Sequence, residues 1–546
     1  MPTKGSKRHW RSWDLEMKGS VKKTLLGIDI GTSGCKVALF DLGGIPLAAS
    51  YRSYPLITLE PQAVEEDPLQ GWWKSASDAI REVLARAEVS PKTIRGISVS
   101  CTNALVCVDA DGNPLRPAIM QLDRRSIREA EWIRQVIGQE QVFRITGNPI
   151  APGTFSAPLM LWIKQNEPWI FERTYKFLSP TGFLVHRLTG EFTMDWSRGA
   201  TTMLFETAGS RSWSSYLCDR MGIPIEKLPP LYPSWQIVGE VSRKASEQTG
   251  LAAGTPVVAG AMDTVCAALG CGALNQGDAF YVLGSVGRIC LVLQKPSFDI
   301  RFINTCHCLP DRWISIACTN GAGLSLRWFK DQLGGRECVQ AEKKGQNPFL
   351  LLDEEAKKSP PGAKNLVYLP YLAGERSPIW DPFARGVLFG LDARHERSDL
   401  IRCLLEGVAF AALDNFLRLE ANLQGEIERV TMSGGGARSD IWRKITADVL
   451  QKEILVSSIA DTETFGNALL AGFGTGIFPD IQKTCQQLCK ISARVSPDAN
   501  NRSLYSRLFH LYRQLYSHLK LDFLSLAEVD GSLERGDMSH LPGKGS

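Results

Sequence analysis

The alternation of apolar and polar positions picks out a strand, a turn and a second strand close to the start of the chain. Leu25, Leu26, Ile28 and Ile30 form an apolar β-type run, Gly31-Thr32-Ser33-Gly34 carries turn chemistry, and Val37 to Phe40 is a second apolar run. Roughly 250 residues on, the pattern returns as Ala279 to Leu283, a Gly284-Ser285-Val286-Gly287 turn and Ile289 to Leu293. Two hairpins of one make in a single chain predict two related domains, and two such halves facing each other would form a cleft.

Between the hairpins, Trp73, Ala76, Ile80, Val83, Leu84 and Ala87 recur at helical spacing, as do apolar residues over Trp162–Asn166 and Phe183–Leu188. Ile94 to Val108 reads as two buried strands around the polar Ser100-Cys101-Thr102-Asn103, and Thr193-Met194-Asp195-Trp196-Ser197 opens a small-residue stretch suited to lining a cleft. Pro256 to Gly260 is a buried strand that passes through Asp263 into a helix over Val265–Leu269. In the second half, Asn320-Gly321-Ala322-Gly323 precedes a helix, and residues 370–378 form a loop with fixed turn chemistry. Ser433-Gly434-Gly435-Gly436-Ala437-Arg438-Ser439 enters a helix with Ile441, Trp442, Ile445 and Val449 on one face. Gly466 to Gly472 is rich in small residues and allows close helix packing, and a last helix from Tyr505 is expected to end near Leu524.

Composition narrows the class. At 546 residues the chain is too long for one core. Its 44% hydrophobic and 22% charged content is that of a soluble globular protein, and a net charge of +4 gives nucleic acid no evident footing. No apolar run reaches membrane-spanning length. The 14 cysteines contain no Cys-x-x-Cys pair, and Cys306-His307-Cys308 lacks a second ligand pair, so they read as thiols in a reducing cytoplasm. The basic first two dozen residues lack the apolar stretch of a signal peptide and read as an unstructured leader, with Met17 an alternative start.

Four places carry candidate chemistry. At the first turn, backbone N–H groups and two hydroxyls could hold an anion, with Asp29 at the strand end facing a divalent cation; an ordinary hairpin fits the same residues. Asp263 suits a helix N-cap and a general base, and the two roles are compatible. Asp123 and Arg125 could bind vicinal hydroxyls or form an ion pair with each other. A flat ring or a phosphate could lie on the glycine-rich entry at 434–436, whose alternative is a flexible loop.

Taken in order, several segments resemble the FGGY carbohydrate kinase family, and in overall pattern most of all its xylulokinases. They are Gly27-Ile-Asp-Ile-Gly-Thr-Ser, Ala157-Pro-Leu-Met-Leu-Trp-Ile-Lys-Gln-Asn-Glu-Pro, Leu188-Thr-Gly-Glu, Tyr371-Leu-Ala-Gly-Glu-Arg-Ser-Pro, Ala384-Arg-Gly-Val-Leu-Phe-Gly-Leu and Gly434-Gly-Gly-Ala-Arg-Ser. The resemblance implies an α/β chain with two ribonuclease-H-like domains of the actin and hexokinase type around a central cleft. It implies a sugar- and phosphate-binding domain over 24–272 and an ATP-binding domain over 273–480; the residues themselves add a disordered leader over 1–23, C-terminal helices over 481–524 and a disordered tail over 525–546.

By similarity Asp263 is the base that takes the acceptor proton, and Asp29 assists Mg2+. ATP is held by Thr32, Ser33, Lys36, Gly284, Ser285, Gly434, Gly435, Gly436, Ala437 and Ser439. Cys101, Thr102, Asn103, Asp123, Arg125, Asp263 and Thr264 line the sugar. The expected reaction is phosphorylation of D-xylulose to D-xylulose 5-phosphate. Alternatives are ribulose, another ketose, a polyol or an aldonate, or a non-catalytic sugar-binding relative. ATP, Mg2+ and a small sugar are the expected partners, without nucleic acid or membrane; a homodimer is allowed. The sugar side departs from the xylulokinase pattern, with Ser100-Cys101-Thr102-Asn103 in place of Gly-Gln-Met-His, Gln121 in place of Trp, Leu159 in place of Lys and Val286 in place of Thr.

Overall fold

In the computed structural model residues 23–60, 63–423 and 425–529 are described. The expected leader up to residue 22 and the tail from 530 lie outside the described residues. The first half opens with β1 (Thr24–Ile30), β2 (Gly34–Asp41) and β3 (Pro46–Ser53), followed by helix α1 (Lys74–Ala87) and β4 (Ile94–Cys101). Then come α2 (Ser156–Asn166), α3 (Pro180–Thr189), the short α4 (Trp196–Ala200), β5 (Ile237–Glu240), β6 (Pro256–Val258) and α5 (Asp263–Gly270). The second half runs β7 (Ala279–Leu283), β8 (Gly287–Leu293), β9 (Ile303–Cys306), β10 (Trp313–Thr319), α6 (Ala322–Leu333) and α7 (Arg397–Leu423). It ends with β11 (Arg429–Ser433), α8 (Asp440–Leu450), β12 (Glu453–Ser457), α9 (Thr462–Gly474), β13 (Ile491–Val495) and α10 (Arg502–Val529).

The two large sheets share one pairing scheme. In the first the order is β5-β6-β4-β1-β2-β3; in the second β13-β12-β11-β7-β8-β10, with β9 beyond β10. Reading from the hairpin edge, both run antiparallel, antiparallel, parallel, parallel, antiparallel. The repeat seen in the sequence is therefore a repeat of topology, as expected for a ribonuclease-H-like pair.

Strand alternation decides which residues face the junction of the two halves. In β1, Leu26, Ile28 and Ile30 pack with Trp72, Ile80 and Phe183, whereas Leu25 on the opposite face packs with Phe465 and Leu469 of α9. By the period of two, Asp29 shares the α9 face with Leu25. Lys36 likewise shares the face of Ala38 and Phe40, and Arg288 that of Cys290 and Val292, which pack with α5. Gly27 lies on the same line because a Cβ there would overlap the Thr464 carbonyl of α9.

Helices α5 and α9 form the seam between the sheets. Helix α9, from the second half, packs on β1, β2 and β4 of the first, and it meets α5 through Gly466 against the Cys266 carbonyl and Gly270 against the Thr462 carbonyl. The small-residue run is thus a helix-crossing device. Asn467 within it does more: its amide donates to the Ile28 carbonyl at 3.0 Å and the Ser100 hydroxyl at 2.7 Å, and its oxygen accepts from Ser98 at 2.8 Å. That locks α9 to the edges of β1 and β4.

Three local expectations change. Asp263 is the first helical residue of α5, not its N-cap, which is Met262. The segment after 480, expected to be helical, contains β13, because its Ile491–Val495 run completes the second sheet beside β12. The last helix continues through Val529, past the expected end near Leu524 and into the residues expected as tail, with Ala527 buried and Phe523 buried in the core of the second half.

Candidate active site

The N-termini of the two seam helices point at the two hairpin turns, and acidic and basic residues meet there. Asp29 is the next-to-last residue of β1 and is 4% exposed. Its Oδ1 accepts from the Ser100 hydroxyl at 2.7 Å, and Lys36 Nζ, opposite it on β2, lies 3.9 Å from Oδ2. Lys36 also reaches Asp461 at 3.4 Å, and Asp461 caps α9 through the Thr464 amide at 3.2 Å. Burial pushes the Asp29 carboxyl up to about 7; Lys36 opposes this, and the carboxylates of Glu463, Asp263 and Asp461 add to it.

The second hairpin repeats the device. Arg288, the second residue of β8, donates to Asp263 Oδ2 at 2.5 Å and to Glu463 Oε1 at 2.8 Å. Asp263 Oδ1 accepts from the Thr264 amide at 2.6 Å and its hydroxyl at 3.0 Å. Burial alone would raise the Asp263 carboxyl. The guanidiniums of Arg288 and Arg198 and the Thr264 hydrogen bonds more than offset it and hold the group below the usual carboxylate range. Each hairpin thus carries a cation on its second strand, paired to an acid at the start of a seam helix. Helix N-termini favour such acids through the unpaired amides of the first turn.

Local geometry keeps both turns tight. Tyr54 Oη donates to the Gly31 carbonyl at 2.6 Å and Tyr51 Oη to the Ser33 carbonyl at 3.2 Å, leaving the Ser33 side chain at the surface. A Cβ at Gly34 would overlap the Tyr51 ring. At the second turn the Gly284 and Ser285 carbonyls accept from Gly323 and Leu324 at 2.9 Å each, so the turn rests on the start of α6. Arg327 of α6 donates to the Ser285 hydroxyl at 2.8 Å.

The glycine-rich entry to α8 closes against β7. Gly434 has φ +87 and a Cβ there would stand 2.9 Å from the Leu283 carbonyl, whereas Gly435 faces open space and Ala437 is buried. Ser439 caps α8 by accepting from the Trp442 amide at 3.2 Å. Its hydroxyl therefore has a structural occupation.

On the other side of Asp29 and Asp263 the expected sugar residues divide. Thr102 Oγ1 accepts from Gln121 Nε2 at 2.8 Å, and Nε2 also donates to Thr32 Oγ1 at 3.2 Å, so Gln121 ties the polar loop to the first turn; its own Oε1 has no partner among the described residues. Asn103 donates to the Thr154 carbonyl at 2.7 Å. The Cys101 thiol points away from the cleft, to Thr181 on α3 at 2.7 Å, and burial pushes it up to about 11. Asp123 is fully buried, accepting from the Val64 amide at 2.8 Å and from the Arg125 amide and Nε at 2.9 and 3.1 Å. Arg125 also pairs with Glu65 at 2.6 Å and stacks over Trp162 of α2 at 4.7 Å. Asp123 and Arg125 thus form a buried ion pair with little capacity left for a ligand's hydroxyls, so the free chelate that could hold vicinal hydroxyls is not what the fold makes of them.

Four residues at this junction were not singled out in the sequence: Arg288, Glu463, Asp461 and Arg198. None stands in a glycine-marked turn, and each acquires meaning only from a partner far away in the chain. For Arg288 a signal existed, since a charge is unusual at the start of an otherwise apolar strand.

The comparisons agree with this geometry. Residues 24–270 match the N-terminal domain model, and residues 288–475 the C-terminal domain model, of the FGGY family of carbohydrate kinases. Similar relatives include the xylulose kinase of Bacillus subtilis (strain 168), 33% identical over 91% of this chain and 97% of its own length. The gluconokinase of the same organism is 29% identical over 94% of this chain and 99% of its own. The crystal structure of xylulose kinase from Rhodospirillum rubrum superimposes with a TM-score of 0.82 at 29% identity, covering 92% of this chain and 100% of that one. Both halves and the shared sheet topology thus belong to one assignment: the chain is a member of the FGGY family of carbohydrate kinases, with the two-domain actin/hexokinase-like ATPase fold.

Proposed function

We propose that the chain transfers the γ-phosphate of Mg2+-ATP to a hydroxyl of a ketose, with D-xylulose to D-xylulose 5-phosphate as the leading reaction. The observation that carries this is Asp263: a carboxylate at the seam, beside the second hairpin turn and held ionised by Arg288. An ionised carboxylate can accept the proton that the acceptor hydroxyl loses as its oxygen bonds to phosphorus and the bond to ADP breaks. Phosphoryl transfer otherwise asks for positioning and charge stabilisation. The turns at Thr32-Ser33 and Gly284-Ser285, with Lys36, supply amides, hydroxyls and a cation for phosphates. The open backbone at Gly435, between Gly434 and Gly436, which close against Leu283, and bordered by Ala437, supplies a surface for adenine.

Asp29 fits a Mg2+ role. Its carboxyl is raised by burial and by three nearby carboxylates, an environment that a divalent cation would reverse. Mg2+ is commonly held by one or two carboxylates with phosphate and water completing its shell, and there it neutralises phosphate charge. On the sugar side, Thr102, Asn103, Gln121 and Thr264 are assigned to the acceptor, with Asp123 and Arg125 as the rigid support beside them. The cysteines, all free thiols, agree with a reducing cytoplasm.

Gluconate is the second reading, favoured by the gluconokinase relatives and by the altered sugar loop. The test is purified protein with Mg2+-ATP and a panel of pentuloses, hexuloses, polyols and aldonates, read by ADP release. Turnover of a pentulose, D-xylulose foremost, is expected. Preferred turnover of an aldonate would replace the ketose assignment, and turnover of no acceptor would remove the proposal.

A further inference from the structure

Arg198 is a buried cation whose environment leaves part of it unoccupied. It sits on α4, which Asp195 anchors: the Asp195 carboxylate accepts from the Arg198 amide at 3.0 Å and from the Ser197 hydroxyl. Ser197 Oγ in turn accepts from the Met262 amide at 2.8 Å, so α4 is fastened to the residue immediately before Asp263. From there the Arg198 side chain reaches the end of β4, where Nη2 donates to the Cys101 carbonyl. The residue is 1% exposed, and its charge acts on the Asp263 and Asp195 carboxylates, yet Nε and Nη1 have no hydrogen-bond partner among the described residues. Asp195 Oδ2, equally buried, is also without a partner.

Buried charged donors are costly to leave unpaired, and native structures satisfy nearly all of them. Arg198 lies beside the end of β4, which carries the Ser100–Asn103 loop, and its helix is fastened to the residue before Asp263. A guanidinium only donates, so whatever completes it must accept. Carbonyl and carboxylate oxygens are full acceptors in the plane of their group, and they answer a buried cation better than a hydroxyl, which brings its own proton to place.

We propose that Arg198 recognises the acceptor substrate, donating from Nε and Nη1 to a carbonyl-type oxygen. That oxygen is the keto oxygen of an open-chain ketose or a carboxylate oxygen of an aldonate. The free oxygen of Asp195 accepts from a neighbouring hydroxyl. This rests on the kinase reading above and adds to it a reason why ketoses and aldonates are preferred over polyols.

The experiment compares a pentulose, the polyol made by reducing its carbonyl and the aldonate of the same length, in the native chain and in Arg198→Gln and Arg198→Lys. The native chain should turn over the carbonyl-bearing acceptors with kcat/KM at least about 100-fold above the polyol, the discrimination that an unpaired buried donor enforces. Arg198→Gln should raise the acceptor KM by about 10- to 100-fold, leave the ATP KM within about twofold and flatten the preference over the polyol. Arg198→Lys should recover part of the activity on the aldonate, because the charge remains. The pentulose and aldonate arms tell the two oxygen sources apart. Equal use of polyol and ketose by the native chain overturns the proposal and needs no variant, so a substituted chain that fails to fold does not shelter it. A folded Arg198→Gln protein with unchanged acceptor KM and unchanged preference overturns it as well. Turnover of no acceptor at all by the native chain would instead remove the kinase reading on which it rests.

Discussion

Replacing Asp29 by Asn removes a charge that the fold holds at a cost. The carboxyl stands at about 7 against an ordinary 3.8, first because it is buried, then because Glu463, Asp263 and Asp461 surround it, with Lys36 opposing. A raised acid favours folding with its proton on. Below the ordinary value the group costs nothing. As pH climbs from about 4 to about 7 the unfolded chain ionises freely while the folded one resists, and stability falls; above that the whole penalty is present. About three units at about 1.36 kcal/mol each put its ceiling at about 4 kcal/mol. Asn keeps the acceptor for Ser100 but leaves Lys36 with Asp461 alone, which returns part of the gain. The protein without ligands should therefore be stabilised by about 1 to 4 kcal/mol at pH 8 and unchanged near pH 4, while kinase activity is lost. Urea unfolding of both proteins across that pH range, without nucleotide, measures it. An Asn variant less stable at pH 8, or offset equally at every pH, would refute the reasoning. Adding Mg2+-ATP should stabilise the native chain more than the variant and narrow the gap.

The remaining predictions concern the seam. Asp263→Asn keeps the size of the side chain and an oxygen for Thr264 and Arg288, so it should lower kcat by about 10²- to 10⁴-fold with ATP binding by calorimetry intact; turnover within tenfold of native would remove the base. Arg288→Met takes away the strongest of the attractions that hold Asp263 down, so the acid limb of the kcat/KM profile should move to higher pH, and an unmoved limb would mean that Arg288 acts elsewhere. Gly466→Val drives a side chain into the Cys266 carbonyl across the α5–α9 contact and should destabilise by about 1 to 3 kcal/mol or more in thermal unfolding. An unchanged melting temperature would show that the helices can part without cost.

Both hairpins, the strand and helix that meet at Asp263 and the glycine entry to α8 were legible because their signals are local. Alternation, glycine at tight turns and apolar faces at helical spacing are read within a dozen residues. The same holds for the two-domain inference, since a repeated hairpin in the chain became a repeated sheet. The exact end of the last helix was not legible, because burial of Phe523 in the core of the second half extends it, and propensity carries no record of that contact.

The sequence by itself determined where the turns, the apolar strands and the candidate base would be. Only the tertiary structure decided which charges meet. Arg288 reaches Glu463 across 175 positions, and Asn467 reaches Ile28 across 439, separations over which no periodicity survives. Asp123 and Arg125 show the converse: their adjacency suggested a ligand site, yet burial beside Glu65 and Val64 turns them toward each other. The physical reason is the same in each case. A side chain's chemistry is set by the groups that compete for its hydrogen bonds and by the water it loses, and both are properties of the folded neighbourhood.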